Sequence, residues 1–294
     1  MDSKTDKNYA VAKEGDGTIQ ITFTISKDAI ASNEKKALEE FSKEVEVPGF
    51  RKGNAPLDRI KEHVSKEKLV EKTLSGILPK MLTDALAVEK IRPSVFPKFE
   101  LVSSAEGEDW QVRAITCEIL PFELGSFKEN IKGLLNKEKI WTPDKEGNEK
   151  ESNQPNRMDK EQKIIESLLQ TIKIIIPRVL IEEEVNSRLS QLLSRIEKLG
   201  LNLESYLASI GKNPQTIREE YFKQSEESIK IELILEKIAE EEKITVSQNE
   251  IDEAVKASSS DPSIKEKLES PEQLNIIKTI LGRRKALDFL LTLL

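Results

Sequence analysis

The sequence predicts an α+β N-terminal domain followed by an all-α C-terminal domain with long helical arms. Three observations carry this reading: one faultless period-two run near the start, a polar stretch from Pro143 to Lys163 whose one strongly apolar side chain is Met158, and helical periodicity with helix caps in everything after Asp159. At 294 residues the chain is long enough for two domains with cores of their own. The expected boundaries are 1–127, an irregular polar linker over 128–158, and 159–294.

The period-two run is "TIQITFTI". Ile19, Ile21, Phe23 and Ile25 fall on one face and Thr18, Gln20, Thr22 and Thr24 on the other, the pattern of a half-buried strand. Ser26 then offers an N-cap to a helix whose Ile30, Leu38 and Phe41 recur at roughly helical spacing. "VPGFRKGNAP", residues 47–56, follows directly. Its prolines and glycines hold it out of helix and central strand, so Phe50, Arg51 and Lys52 must project from a bend. An exposed aromatic residue beside two cations suits a contact surface, but the same residues also suit a plain turn. Residue types alone leave both readings open.

Beyond the loop, Val70, Leu74, Ile77, Met81, Ala85 and Val88 mark a helical face, with Pro79 predicting a kink or two abutting helices. "VFPKFELVSS" and "DWQVRAITCEIL" read as strands joined by the turn residues "AEGE". From Pro143 to Lys163 Met158 is the one strongly apolar side chain, which predicts a flexible linker.

In the C-terminal part Val185, Leu189, Leu192, Ile196 and Leu199 alternate steps of four and three, a coiled-coil-like seam. Pro177 opens the helix that carries it, and Asn213 with Pro214 opens the next long one. "SQNE" at Ser247 and "SPEQ" at Ser270 are capping boxes before two more.

Charge and composition exclude several functions. A net charge of −7 argues against wholesale wrapping of nucleic acid, while a small local basic site stays compatible. No apolar run approaches the roughly 20 residues of a membrane span. Residues 1–18 have no apolar signal region, and Cys117 is the one cysteine, so a cytoplasmic protein without membrane attachment is expected. His63, the single histidine, sits among charged residues and predicts an exposed helical position; it removes any two-histidine metal site. Neither GxxxxGK[ST] nor GxGxxG occurs, and no catalytic, cofactor or metal residue is assigned. The basic run "GRRK" at 282–285 reads as surface cations beside a docked apolar face. The terminal "FLLTLL" either packs on the helical domain or offers an apolar patch.

At the 47–56 loop the chain resembles the trigger factor family of bacterial chaperones. The family's ribosome-binding signature is GFRxGKxP; Gly49, Phe50, Arg51, Gly53 and Pro56 match it in order, and Asn54 stands at the lysine position. That departure removes one cation, with Lys52 adjacent. Residues 17–122 are similar to the family's N-terminal domain, and the stretch from Ile176 to Leu207 is similar to the start of its C-terminal helical domain. The resemblance implies that Gly49, Phe50, Arg51, Lys52, Gly53, Asn54 and Pro56 meet ribosomal protein and RNA at the tunnel exit. It implies also that the helical domain holds unfolded nascent chains, and it carries homodimerisation off the ribosome as a further expectation.

Family members usually hold a prolyl isomerase domain between these two parts. The roughly 50 residues between Glu123 and Pro177 are about half of what such a sheet and aromatic pocket need, so no isomerase activity and no cofactor are expected. Two alternatives stay open: a ribosome-independent holdase or assembly factor, and a diverged isomerase within 128–176.

Overall fold

The computed structural model describes residues 8–105, 107–138, 157–258, 268 and 270–294. Two compact units emerge. The first comprises residues 1–119 with 177–180, the second 120–176 with 181–294.

In the first unit the order is β1 (Tyr9–Lys13), β2 (Thr18–Ile25), α1 (Lys27–Glu44), α2 (Leu57–His63), α3 (Lys66–Glu89), β3 (Lys98–Ser103) and β4 (Trp110–Cys117). The strands form one antiparallel sheet in the order β1-β2-β4-β3. The alternation in β2 is realised as expected: Ile19, Ile21, Phe23 and Ile25 are buried, and the register sets Phe23 against Val112 and Ile21 against Ala114. Ile30 of α1 and Leu78, Leu82 and Ala85 of α3 close this core from one side.

Three features of the unit differ from the sequence reading. β1 was not expected; only Tyr9 and Val11 pack toward the core, so its pattern is too short to stand out. β3 begins at Lys98, after Pro97, because proline cannot donate into a ladder. α3 runs unbroken through Pro79, since Leu78 and Leu82 on either side of the ring are both held in the same core. Ser26 caps α1, its Oγ accepting the Ala29 N–H at 3.4 Å.

The turn between β1 and β2 does a second job. The Asp16 carboxylate accepts the Thr18 N–H at 2.8 Å, the Thr18 hydroxyl at 3.0 Å and the Arg178 N–H at 3.0 Å. Arg178 is the first residue of α6 (Arg178–Lys198), so Asp16 satisfies one of that helix's orphan donors from 162 positions away in sequence. Burial pushes the Asp16 carboxyl up, but its three hydrogen bonds outweigh this and hold it below its ordinary value. A depressed native value gives stability that is complete above the unfolded value, near 3.9, and is lost as pH falls through the native one. Asp16→Ala is therefore expected to cost about 1 kcal/mol at pH 7, the usual scale for a lost cap. The gap from wild type should close below about pH 4, read from urea midpoints across a pH series.

The second unit contains α4 (Phe127–Glu138), α5 (Arg157–Thr171), most of α6, α7 (Leu203–Ser209), α8 (Pro214–Glu241), α9 (Gln248–Ser258) and α10 (Pro271–Thr292). At 1.5 Å per residue α8 is about 42 Å long. The core joins Phe127 and Ile131 of α4, Ile164 and Leu168 of α5, Ile234 and Ile238 of α8, and Ala286 and Leu290 of α10. The terminal "FLLTLL" packs here, with Phe289, Leu291, Leu293 and Leu294 around Leu290.

α4 corrects the expectation of an irregular segment from residue 128. Its Phe127 and Ile131, one turn apart, are both buried in the helical core, which stabilises a helix of weak local signal. The middle of the expected linker, 139–156, lies outside the described residues. Residues 172–177, read as helical, are irregular, with Ile172, Ile174 and Ile176 buried in alternation.

The predicted caps are present. Asn213 accepts the Thr216 N–H at 2.8 Å, and Ser247 and Glu250 exchange bonds at 2.8 and 3.4 Å as a full capping box. Ser270 accepts the Gln273 N–H at 3.4 Å.

Candidate functional site

The 47–56 loop is built from two successive turns on a small core of its own. Val47 is buried with Ala37, Leu38, Ile60, Val64 and Leu69, and Ala55 and Leu57 pack on the same cluster. Both ends of the loop are thus held by apolar contact while residues 48–54 stand exposed.

In the first turn the Phe50 N–H donates to the Val47 carbonyl at 3.1 Å, with Pro48 and Gly49 in the centre. In the second the Asn54 N–H donates to Arg51 at 3.0 Å, with Lys52 and Gly53 in the centre. Gly49 and Gly53 have φ of +86° and +87°, the left-handed backbone that the third position of a type II turn demands. No atom lies within 4 Å of a Cβ built at either position, so backbone conformation alone calls for glycine there. The Gly53 N–H also donates to the Ser42 carbonyl at 2.9 Å, satisfying an orphan acceptor at the end of α1 and tying the loop to that helix. Pro56 then stands at the N-cap position of α2 with φ −58°.

This framework presents Phe50 at 45% exposure beside Arg51 and Lys52. Arg51 has no ion pair among the described residues. Lys52 does: its Nζ lies 3.1 Å from Glu46, a partner that sequence reasoning did not foresee. Both groups are well exposed, so the pair is weak and screened by salt. Asn54 sits exposed at the end of the second turn.

The other chemistry-bearing residues fall elsewhere. His63 is exposed at the end of α2, its Nδ1 2.9 Å from the Arg59 carbonyl. Cys117 is buried, and burial, with the nearby Asp16 charge, pushes its thiol up to about 11, so at neutral pH it is an inert protonated side chain. Two cations of the GRRK run are engaged within the helical unit. Arg283 donates to Glu232 at 2.6 Å and to Glu236 at 3.2 Å, and Lys285 donates to Glu250 and to the Thr245 carbonyl. Among the described residues no cluster of three metal-ligating side chains occurs, and no helix is long and apolar enough to cross a membrane.

One surface has no counterpart in the sequence reading. Between α6, α7 and the start of α8 lies an apolar groove of about 260 Å³, lined by Leu189, Leu192, Leu193, Leu203, Leu207 and Ile217. Beyond it Leu199 and Leu201 are 72% and 47% exposed. The four-three seam on α6 was the available signal. Val185 and Ile196 of that seam are buried, but Leu199 is not, so the seam is only partly covered.

Residues 8–151 match a family model described as "Bacterial trigger factor protein (TF)", and residues 145–292 match one described as "Bacterial trigger factor protein (TF) C-terminus". Among curated proteins, "Trigger factor" of Streptococcus agalactiae serotype Ia is 35% identical over 109 residues, 37% of this chain and 26% of the relative. Its counterpart in Lactiplantibacillus plantarum is 31% identical over 110 residues, 37% of this chain and 25% of the relative. The aligned stretch thus spans about a quarter of these relatives. A solved structure reported under "Promiscuous Substrate Recognition in Folding and Assembly Activities of the Trigger Factor Chaperone" superposes with a TM-score of 0.58. It is 14% identical, and the match covers 96% of this chain and 99% of that one.

Proposed function

We propose, since this chain belongs to the trigger factor family, that it is a nucleotide-independent cytoplasmic chaperone that docks at the ribosomal tunnel exit through residues 49–56 and holds unfolded nascent chains. The observation that carries the docking assignment is the exposed Phe50–Arg51–Lys52 tip on a two-turn frame anchored at both ends by buried apolar residues. Phe50 supplies apolar contact and Arg51 and Lys52 supply charge toward ribosomal protein and RNA. The apolar groove of α6, α7 and α8, with Leu199 and Leu201, supports a client-holding role through weak contacts, each worth on the order of 25 cal/mol per Å² buried. Weak contacts spread over several leucines allow a client to be released without chemistry.

The test is co-sedimentation with ribosomes of wild type and of a Phe50→Ala, Arg51→Ala, Lys52→Ala triple variant at low and moderate salt. Wild type is expected to sediment with ribosomes and the variant to bind at least about tenfold more weakly, since an aromatic residue and an arginine are typical interface anchors. Binding of wild type should also fall with salt, as two or so phosphate contacts predict. Absence of binding by the folded wild type overturns the docking assignment. The Glu46–Lys52 pair and Asn54, which both lower the loop's effective positive charge, favour the second reading in that event: a ribosome-independent holdase.

The same reading assigns no isomerase activity. The matches to the N- and C-terminal family models overlap at 145–151, which supports this reading.

A further inference from the structure

We infer that the first unit carries a contact for single-stranded RNA on the segment between α3 and β3, residues 90–98, where Phe96 stacks on an unpaired base and Lys90, Arg92 and Lys98 meet the flanking phosphates. The contact is separate from the 47–56 loop and does not depend on docking there.

The segment is held in one conformation. Ile91 and Pro97 are buried near its two ends. Between them the Arg92 N–H donates to the Glu118 carboxylate at 2.7 Å, the Ser94 N–H donates to the Cys117 carbonyl at 2.8 Å, and the Val95 carbonyl accepts the Thr116 hydroxyl at 2.8 Å. Pro93 and Pro97 fix their own φ within the same stretch. The chain is thus laid along the end of β4 before any partner arrives, so little further ordering opposes binding.

What it presents is Phe96 at 86% exposure, more than any other large apolar side chain among the described residues. A ring so free of neighbours has no pocket wall for the side chain of a peptide to fill. It does offer an open π-face, and a splayed-out base stacks on such a face without needing a pocket.

The local charge favours a polyanion. Residues 89–98 carry the exposed cations Lys90, Arg92 and Lys98 against Glu89. The neighbouring carboxylates are engaged: Glu89 accepts the Tyr9 hydroxyl at 3.2 Å, Glu118 holds the Arg92 N–H and lies 3.7 Å from Lys13, and Glu100 lies 3.9 Å from Arg113. Asp84 is further back on α3, about 9 Å along the helix from Lys90. At no more than about 3.6 Å of chain per residue, Arg92 is within about 14 Å of Phe96 and Lys98 within about 7 Å. Their side chains therefore reach phosphates on either side of one stacked nucleotide.

The two exposed aromatic tips of this unit stand apart. Leu69, near the start of α3, packs with Val47 of the first loop, and Lys90 caps the other end of that helix, which is 24 residues and about 36 Å long.

The test uses the full chain, isotope-labelled for NMR, and a single-stranded RNA dodecamer of adenosine and uridine without self-complementarity, beside the same sequence as a duplex. Expected are amide shifts within 90–98 on adding the single strand, and binding of the duplex at least about tenfold weaker, because its bases are not free to stack. Phe96→Ala should weaken the single strand about tenfold, while Phe96→Trp should retain it. Arg92→Ala with Lys98→Ala should reduce the slope of log affinity against log salt by about 1.4, at roughly 0.7 per phosphate contact. The loop triple variant should leave the shifts at 90–98 unchanged, so ribosome co-sedimentation of either outcome does not decide this site. Phe96 is exposed enough for its variants to fold, and the duplex comparison tests the proposal on wild type in any case. Equal binding of the duplex, unchanged affinity in Phe96→Ala, shifts confined to 49–56, or displacement of the RNA by an equimolar acidic peptide, the mark of a protein partner, would each overturn it.

Discussion

Phe23→Ala is expected to destabilise the first unit by about 3–5 kcal/mol, the range for deleting a fully buried aromatic side chain. Phe23 has no exposed surface and sits in an interior strand, between β1 and β4. Its ring lies 6.0 Å from that of Tyr9, with Val112 opposite on β4. Ladders on both sides prevent the backbone from closing over the vacated volume, so the cavity term adds to the lost transfer energy. The measurement is urea unfolding followed by fluorescence of Trp110, which belongs to the same core, in a Trp141→Phe background. A midpoint change equivalent to less than about 1 kcal/mol would show that the sheet does not depend on this core. Amide exchange in α5 and α8 reports the second unit separately and should change little.

Gly17→Ala is expected to cost about 3 kcal/mol, from left-handed backbone and overpacking together. Gly17 has φ +96°, and a Cβ there would lie 2.2 Å from the Glu118 carbonyl oxygen and 3.3 Å from Pro177 Cγ. The carbonyl cannot simply swing aside, because the Glu118 N–H donates to the Gly17 carbonyl at 2.9 Å and fixes the two backbones together. Amide exchange should accelerate at Thr18, Glu118 and Arg178, around the carboxylate of Asp16. Gly15→Ala is the control: nothing lies within 4 Å of its Cβ and its φ is outside the left-handed region, so a change within about 0.5 kcal/mol is expected. Equal effects of the two substitutions would show that the close approach at Gly17 does not govern the turn.

Near-neighbour chemistry made a large part of this protein legible in its sequence. The alternation of Ile19, Ile21, Phe23 and Ile25 needs only two-residue periodicity, and the caps at Ser26, Asn213 and Ser247 need only a side-chain oxygen within three residues of an unpaired N–H. The 47–56 loop was legible for the same reason: proline and glycine restrict their own φ, so the position of Phe50, Arg51 and Lys52 on a bend follows from residue types.

What the tertiary structure alone decided depends on partners far apart in sequence. α3 continues through Pro79 because contacts on both flanks hold it, although the ring removes a local hydrogen bond. α4 forms because Phe127 and Ile131 meet α5, α8 and α10, none of which its own twelve residues announce. Lys285 and Arg283 look like free surface charge until α9 and α8 bring Glu250, Glu232 and Glu236 to them. The half-open face of β3 is the same kind of fact. Phe99 and Leu101 alternate as a core strand should, and only the reach of two helices packed over β2 and β4 determines that they stay partly in water. Local conformation follows from the free energy of a few adjacent bonds, whereas coverage follows from long-range packing whose total is set by every element at once.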